Sequence, residues 1–183
     1  MNKAIQGLLG TLMVFALAGC TVVNAATAPT PVGSASVDEN PYGGFDVANP
    51  APDEVILTVT KGKQTTNYSL NDLKKLKSRE ITILEPFVKK QQTYVGVPMA
   101  TFFDAVGIKP TDKVSTLALN DYKYDDLARH FSESQGLIAY LRDGSEIPMD
   151  EGGPIRIVFP VGTPYFDFVD AWNWSIRSID TVG

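Results

Sequence analysis

Arg156 is the residue whose type and position most strongly suggest chemistry, because it lies inside the apolar run 155–159. A guanidinium buried in such a run needs a partner, since an unpaired buried charge is costly. One interpretation is a structural salt bridge to an acidic residue, for which Asp121 is a candidate. The other is an anion site, in which Gly152 and Gly153, shortly before the run, expose backbone N–H groups.

A polar turn, Asn120-Asp121-Tyr122, follows a predicted strand and supplies further candidate contacts to a ligand. We therefore predict a ligand cleft formed by six residues: Asn120, Asp121, Tyr122, Gly152, Gly153 and Arg156. The aromatic segments 165–168 and 172–174 either line a pocket or pack into the core, and alternation along a strand favours the core.

Acid–base chemistry by carboxylates is a further, hydrolytic interpretation. Two carboxylates about 5–9 Å apart would suit glycoside hydrolysis, but sequence spacing does not reveal such a pair. His130, the only histidine, lies near Ser132 and is interpreted as an exposed residue at a helix end rather than as part of a Ser-His-Asp site. The candidate acids are Asp121, Asp125, Asp126, Glu146, Asp150, Glu151, Asp167 and Asp170.

Several classes of protein are excluded by the composition. One histidine and one cysteine leave no set of soft metal ligands, so no metal site is predicted. No GxSxG, P-loop or GxGxxG motif is present. The net charge of −5 argues against nucleic acid as a partner, since binding to phosphates requires clustered Lys and Arg.

Cys20, the only cysteine, is predicted to carry a lipid. Residues 17–20 read Leu-Ala-Gly-Cys, the lipobox pattern of bacterial lipoproteins, and residues 1–19 are predicted to be a signal peptide. The strongly apolar part of that peptide, 8–18, is well short of the roughly 20 residues that a transmembrane helix needs. Ordinary cleavage after Ala25 is the alternative.

Lipidation would make the membrane a partner of the protein, through several acyl chains that together anchor it firmly. The predicted location is the periplasmic face of a bacterial membrane. Thr21 follows the cysteine, where lipoproteins retained in the inner membrane usually carry Asp, so the outer membrane is favoured.

Residues 20–52 are predicted to be a flexible linker and residues 53–183 a single globular domain. The linker is rich in Pro, Gly, Ala, Thr and Ser and has no apolar period, so it cannot bury enough surface to offset its chain entropy. It would hold the domain off the bilayer. With the one cysteine used by the anchor, no disulfide is possible within the chain.

The domain is predicted to be α+β, mostly strands with a few short helices. Ser69 and Asp72 have the spacing of a capped helix start, Gly107 is placed to end the helix that starts near Pro98, and Asp143-Gly144 suits a tight hairpin. The predicted strands cover 55–59, 65–68, 79–84, 113–119, 137–141, Ile147, 155–159 and 171–179. Three helices are predicted: one starts at Ser69, one follows a turn at Tyr94–Pro98, and one spans Asp125–Phe131.

Several segments together resemble the molybdopterin-binding domain of the sulfite-oxidase superfamily. Their order and spacing carry the likeness, which extends from about Val55 to Thr181. The matching segments are Tyr94–Met99 with the helix that leads to Gly107–Pro110, Val114–Leu119 with Asn120-Asp121-Tyr122, Gly136–Tyr140 with Asp143-Gly144, Gly152–Pro160, and Trp174–Ile179.

The resemblance implies a fold of mixed sheets around a cofactor cleft. Enzymes of the family hold molybdenum through a cysteine thiolate shortly before the Gly-Val-Pro turn, where this chain has Ile83-Leu84-Glu85-Pro86. Histidines that contact the pterin phosphate in the family have no counterpart apart from the misplaced His130. Molybdenum enzymes also leave the cytoplasm folded through the twin-arginine route, whereas this signal has only Lys3 and no Arg-Arg.

These features predict a cofactor-less member of the fold that acts as a periplasmic binding or sensory accessory module. Its ligand would be a small anion or a periplasmic protein. No cofactor is expected. The alternative is a molybdopterin-dependent oxidoreductase that binds its metal without a thiolate.

Overall fold

Ten β-strands, three short α-helices and two 3-10 turns form the part of the chain that the computed structural model describes, residues 47–183. The predicted signal peptide, Cys20 and most of the predicted linker lie outside the described residues. Among the described helices, none is long and apolar enough to cross a membrane. The strands are β1 Val55–Lys61, β2 Gln64–Ser69, β3 Arg79–Leu84, β4 Gln91–Pro98, β5 Lys113–Ala118, β6 Lys123–Leu127, β7 Leu137–Arg142, β8 Ser145–Glu146, β9 Arg156–Val158 and β10 Ile176–Val182; the helices are α1 Leu70–Lys75, α2 Met99–Val106 and α3 Ala128–Glu133; the 3-10 turns are Met149–Glu151 and Val169–Ala171.

The first sheet has the strand order β2-β1-β10-β5-β6. Its central strand, β10, pairs in parallel with β1 and antiparallel with β5. Thr58 lies opposite Ser178 in the parallel pair. Residues from the two ends of the described chain therefore meet in the middle of this sheet.

The second sheet has the order β3-β4-β7-β8, with β9 paired to β7 beside this path. All of its pairs are antiparallel. Arg156, the first residue of β9, lies opposite Ala139 of β7. This pairing fixes the arginine backbone inside the domain, and the mixture of two sheets with short helices agrees with the predicted α+β class.

Both sheets and the helices contribute to one hydrophobic core. Phe102 of α2 is fully buried and its ring centroid lies 5.2 Å from that of Tyr68 in β2. Phe103 meets Phe131 of α3 edge-on at 6.3 Å, which joins the two helices. Each such buried side chain stabilises the fold by about 1.5–3 kcal/mol.

Three local signals in the sequence are confirmed. The Ser69 side chain accepts the Asp72 N–H while the Asp72 carboxylate accepts the Ser69 N–H, so both halves of the capping box form at α1. Gly107, with φ 70°, ends α2 in the left-handed conformation. Asp143 and Gly144 both have positive φ, 52° and 81°, as a tight hairpin between β7 and β8 requires.

Two predicted boundaries are wrong because pairing between strands overrides the local pattern. Tyr94–Pro98 is not a turn but the end of β4, which pairs with β3 on one side and β7 on the other. Asp125–Leu127 belong to β6, which pairs with β5. The third helix therefore begins only at Ala128, and Asp125 does not lie at its N-terminus.

The predicted closing strand also starts too early. Residues 171–175 form the end of a 3-10 turn and an irregular segment, and β10 begins at Ile176. Ser175 has φ 48°, which interrupts an extended chain. Trp172 and Trp174 consequently lie outside the sheet.

A hydrogen-bonded cluster around Asp126 ties α3 to β6. The Asp126 carboxylate accepts hydrogen bonds from the hydroxyls of Tyr124, at 3.1 Å, and Tyr165, and lies 2.9 Å from His130 Nδ1. Ser132 Oγ donates instead to a backbone carbonyl of its own helix, at 3.1 Å. The serine and histidine are therefore not arranged as a Ser-His-Asp site.

This cluster sets opposite pKa shifts on its members. Burial raises the pKa of Asp126, but hydrogen bonds from Tyr165, the Leu127 N–H, His130 and Tyr124 outweigh burial and leave that pKa below its usual value. Burial and the hydrogen bond to Asp126 raise the pKa of Tyr165. Because the folded-state pKa of Asp126 is lowered, its carboxylate stabilises the fold above the unfolded-state pKa, and this stabilisation is lost as the pH falls through the folded-state value.

We expect Asp126→Asn to lower the free energy of unfolding by about 1–2 kcal/mol at pH 7, since the charged hydrogen-bond acceptor is lost. The difference from the wild type should shrink as the pH is lowered below about 4. Urea unfolding followed by circular dichroism at both pH values measures it.

Asp104→Asn is the matched control for this prediction. Asp104 is exposed on α2, and its side chain makes no hydrogen bond or ion pair with any described residue. Its replacement should change stability by less than about 0.5 kcal/mol. An Asp126→Asn cost that is the same at neutral and acidic pH would contradict the assignment.

Candidate functional site

Arg156 and Glu85 form a fully buried ion pair. Arg156 Nη2 lies 3.0 Å from Glu85 Oε1, and neither side chain has any exposed surface. The predicted salt bridge of Arg156 is thus confirmed, but Asp121 is the wrong partner. Asp121 is exposed and binds Arg177 Nη2 at 2.6 Å, since its turn lies on the surface after β5.

The second oxygen of Glu85 organises the loop that connects β3 to β4. Glu85 Oε2 accepts the backbone N–H groups of Phe87 and Val88, each at 2.7 Å. The Glu85 backbone closes the same loop, through hydrogen bonds to Lys90 and Lys89 at 2.8 and 3.0 Å. Both carboxylate oxygens are therefore engaged inside the protein.

The Arg156 guanidinium also packs against two aromatic rings. Its central carbon lies 4.3 Å from the Trp174 ring centroid and 5.8 Å from that of Tyr94, distances at which a cation is attracted to a π face. Arg156 is therefore held between a carboxylate and two rings, deep behind the protein surface.

Gly152 and Gly153 are needed for close packing around Arg156. Gly152 has φ 86°, and a Cβ there would meet Trp174 Cβ at 3.3 Å and Arg156 Nη1 at 3.5 Å. A Cβ on Gly153 would lie 2.0 Å from a backbone oxygen of Ile147. The Gly153 N–H donates to the Pro148 carbonyl at 2.8 Å. This N–H is therefore not available to an anion, contrary to the prediction.

A pocket of about 280 Å³ lies beside this buried pair and is called the aromatic pocket below. Two of the six predicted cleft residues, Asn120 and Tyr122, line it. Its lining consists of Phe87, Asn120, Tyr122, Val169, Asp170, Trp172, Asn173 and Trp174.

Three aromatic rings form one wall of the aromatic pocket. Phe87 stands edge-on to Trp174, with ring centroids 4.6 Å apart, and to Trp172, at 6.1 Å. The Trp172 indole N–H donates to the Tyr165 carbonyl at 2.8 Å. The wall is thus built from the loop held by Glu85 and from the irregular segment before β10.

A second part of the lining comes from the turn after β5. The Asn120 side chain accepts the Tyr122 N–H at 3.1 Å, which shapes the turn. The Tyr122 hydroxyl donates to the Asp170 carbonyl at 2.9 Å. Burial and, to a smaller extent, the negative charge of Asp170 raise the pKa of the Tyr122 phenol. Tyr122 is therefore neutral and donates a hydrogen bond at physiological pH.

Two polar groups of the pocket lining have unused capacity. Asn173 is fully buried, and its amide nitrogen donates to the Thr116 carbonyl and hydroxyl, both at 3.1 Å. Its Oδ1 accepts no hydrogen bond within the part of the chain that the structure describes. Asp170 is exposed and forms no ion pair with a described residue.

The structure thus separates the predicted cleft into three places. Asn120 and Tyr122 line the aromatic pocket, Arg156 and the two glycines lie behind its wall, and Asp121 is on the outer surface. Sequence reasoning missed Phe87 and the structural role of Glu85. No local signal in the sequence marks Glu85 as the partner of Arg156, since other acids, Asp121 among them, also follow predicted strands.

Two larger depressions, of about 630 and 640 Å³, lie elsewhere. The first is formed by residues 48–50 and the strands β1, β5 and β10, and includes Arg177; the second lies near Lys61 and Lys113. Among the described residues, neither depression is lined by an aromatic side chain or by a residue of the predicted cleft. The aromatic pocket is therefore the better candidate site.

We expect Glu85→Gln to lower the free energy of unfolding by about 3 kcal/mol, because the buried Arg156 loses its counter-charge. Asp121→Asn is the matched control, since it breaks an exposed ion pair and should cost less than about 1 kcal/mol. Urea unfolding at pH 7 measures both costs.

Adding Arg156→Met to Glu85→Gln removes the second charge and keeps an acceptor for the loop N–H groups. The double variant should recover part of the stability lost by Glu85→Gln alone. A Glu85→Gln cost no larger than that of Asp121→Asn would contradict a structural role for the pair.

No group of three or more His, Cys, Asp or Glu side chains within residues 47–183 is arranged to hold a metal ion. No curated protein matches the chain. Among solved structures, the sulfane dehydrogenase SoxCD from Paracoccus pantotrophus has a similar fold, with a TM-score of 0.57 and 14% sequence identity. The match covers 74% of this chain and 40% of that one, so this chain spans less than half of that protein.

The family model of the oxidoreductase molybdopterin-binding domain matches residues 45–165. This match and the similar fold confirm the resemblance and the fold class that the sequence predicted. The matched residues are about two thirds of the sequence and include β1 to β9, and on that basis the chain belongs to the oxidoreductase molybdopterin-binding domain family.

Proposed function

We propose that this chain is a lipid-anchored periplasmic module that binds a ligand in the aromatic pocket and does not use molybdenum. The observation that carries the proposal is the buried pair of Glu85 and Arg156. Glu85 lies in the segment where the family's molybdenum-binding cysteine is expected. Its carboxylate holds a loop and an arginine in place of a metal.

The residues around this position do not fit a molybdenum centre. Both Glu85 oxygens are engaged, one by Arg156 and the other by two backbone N–H groups. Releasing the carboxylate to bind a metal would leave Arg156 buried without a counter-charge, which is costly. Cys20, the one thiol of the chain, is predicted to carry the lipid.

The aromatic pocket also does not fit the phosphate of a molybdopterin. No Lys, Arg or His side chain is among its lining residues, and Asp170 adds a negative charge. Phosphate groups in proteins are usually held by Arg, Lys or clustered backbone N–H groups. The lining of the aromatic pocket therefore offers no site for the phosphate of this cofactor.

The alternative is a molybdopterin-dependent oxidoreductase without thiolate ligation. Membership of the family favours it. The binding proposal is preferred because the alternative needs both Glu85 and Arg156 to exchange their present partners. A small anion held by Arg156 would likewise require Arg156 to exchange its present partner. A periplasmic protein partner is compatible with the binding proposal.

Protein purified from its native periplasm should contain molybdenum and pterin at far below one equivalent per chain. Inductively coupled plasma mass spectrometry and fluorescence of the oxidised pterin measure the two contents. A molybdenum enzyme of the same family, purified in parallel from the same cells, controls for cofactor supply. Stoichiometric molybdenum in this chain would overturn the binding proposal in favour of the oxidoreductase.

The lipid anchor is tested by Cys20→Ala, which should move the protein from the membrane fraction to the soluble periplasmic fraction. Thr21→Asp is the matched control, because it should leave the protein on a membrane and shift it from the outer to the inner one. Immunoblots of separated membranes report both outcomes. A Cys20→Ala protein whose signal peptide has been removed, as its mass shows, and that stays membrane-bound would rule out anchoring by this residue.

A further inference from the structure

We infer that the aromatic pocket takes a small organic cation that carries N–H donors, such as an alkylammonium group. The inference rests on the proposed function, in which this pocket is the binding site. Three independent features of the lining support it: its charge, its aromatic wall and a buried acceptor without a donor.

The charge of the lining favours a cation. Asp170 is its one ionisable carboxylate, is exposed, and forms no ion pair with a described residue. The nearby positive charge of Arg156 is balanced by Glu85 behind the wall. The uncompensated charge at the pocket is therefore negative, and a cation that enters gains a partner without displacing one.

The aromatic wall favours the same class of ligand. The ring centroids of Trp174 and Trp172 lie 4.6 and 6.1 Å from that of Phe87. A cation placed over such rings is attracted by their negative faces, and the attraction is strongest for Trp. The apolar part of an alkylammonium ion would also be removed from water against these rings.

The free acceptor distinguishes an N–H-bearing cation from a quaternary one. Asn173 Oδ1 is buried and accepts no hydrogen bond from the described residues. A buried acceptor without a donor costs about 1–3 kcal/mol. Oδ1 has almost no accessible surface, so the Asn173 amide must turn toward the pocket before a primary ammonium ion can donate to it; a quaternary ammonium ion has no N–H to offer.

The volume of the pocket limits the size of the ligand. About 280 Å³ lies just below the range of roughly 300–1,000 Å³ that is typical of sites for drug-sized molecules. The pocket therefore suits a molecule of few heavy atoms, or the ammonium end of a longer one. Cyclohexylammonium combines the required charge, donors and apolar body and absorbs no light near 295 nm.

The chain offers an internal reporter for the test, because both of its tryptophans line the pocket. Cyclohexylammonium should change the tryptophan fluorescence of the full-length protein in a saturable way. Its affinity should fall as the ionic strength rises. Cyclohexyltrimethylammonium should bind at least about fivefold more weakly, and neutral cyclohexanol and anionic cyclohexanecarboxylate at least about tenfold more weakly.

Variants assign the response to the pocket. Asp170→Asn should weaken cyclohexylammonium binding about tenfold through the loss of the counter-charge. Phe87→Leu keeps apolar bulk but removes a ring, and should weaken binding about fivefold. Asp167→Asn is the matched control, since Asp167 is exposed on the same segment but does not line the pocket. Unchanged thermal unfolding identifies the variants that keep the fold.

The outcomes separate this inference from the function on which it rests. A molybdenum-free protein that shows no saturable response to cyclohexylammonium, or that prefers the carboxylate, overturns the cation site and leaves the binding proposal standing. Equal affinities of Asp170→Asn, Asp167→Asn and the wild type also overturn it. Stoichiometric molybdenum in the native protein overturns the proposed function whatever the fluorescence shows.

Discussion

A guanidinium and a carboxylate without exposed surface, Arg156 and Glu85, lie where strand β9, the loop 85–90 and the segment 171–175 meet. The desolvation of two charges is compensated only when each finds several partners. Glu85 meets this condition with Arg156 and two backbone N–H groups, and Arg156 with Glu85 and the ring of Trp174. The loop therefore holds Phe87 against Trp174. The aromatic wall of the pocket thus depends on the ion pair of Arg156 and Glu85.

The family relationship and the local chemistry lead to different expectations for this domain. Family membership rests on the match of the family model to residues 45–165, and the similar fold agrees with it. The chemistry of a site depends on a few side chains that a fold positions but does not determine. In this chain the loop after β3, where the resemblance implies a metal ligand, holds a carboxylate whose two oxygens already accept hydrogen bonds from Arg156 and two backbone N–H groups. On the proposed function, the scaffold is kept while the group in this loop has a structural role.

The fold class was predictable because local signals and hydrophobic period agree over most of the domain. Ser69 with Asp72, Gly107, and Asp143 with Gly144 specify helix ends and a turn by their own backbone chemistry, so one sequence suffices to find them. The wrong boundaries lie where pairing between strands, rather than the local sequence, determines the structure. Strand β6 forms because residues 123–127 pair with β5. The site was harder for the same reason. Arg156 was recognisable as a buried charge, but its partner Glu85 is 71 residues away, and no local pattern distinguishes it from the exposed Asp121.

The position of β10 has a consequence for how the domain is made. This last strand lies between β1 and β5 and supplies the parallel partner of the first. A chain that emerges with its N-terminus first, from a ribosome or from a channel in a membrane, cannot close the first sheet until residues 176–182 are free. Closing contacts between distant segments is slow, and until then β1 presents an unpaired edge that invites pairing with another chain. The architecture thus makes closure of the first sheet a late step of folding, and β1 lacks its parallel partner until β10 arrives.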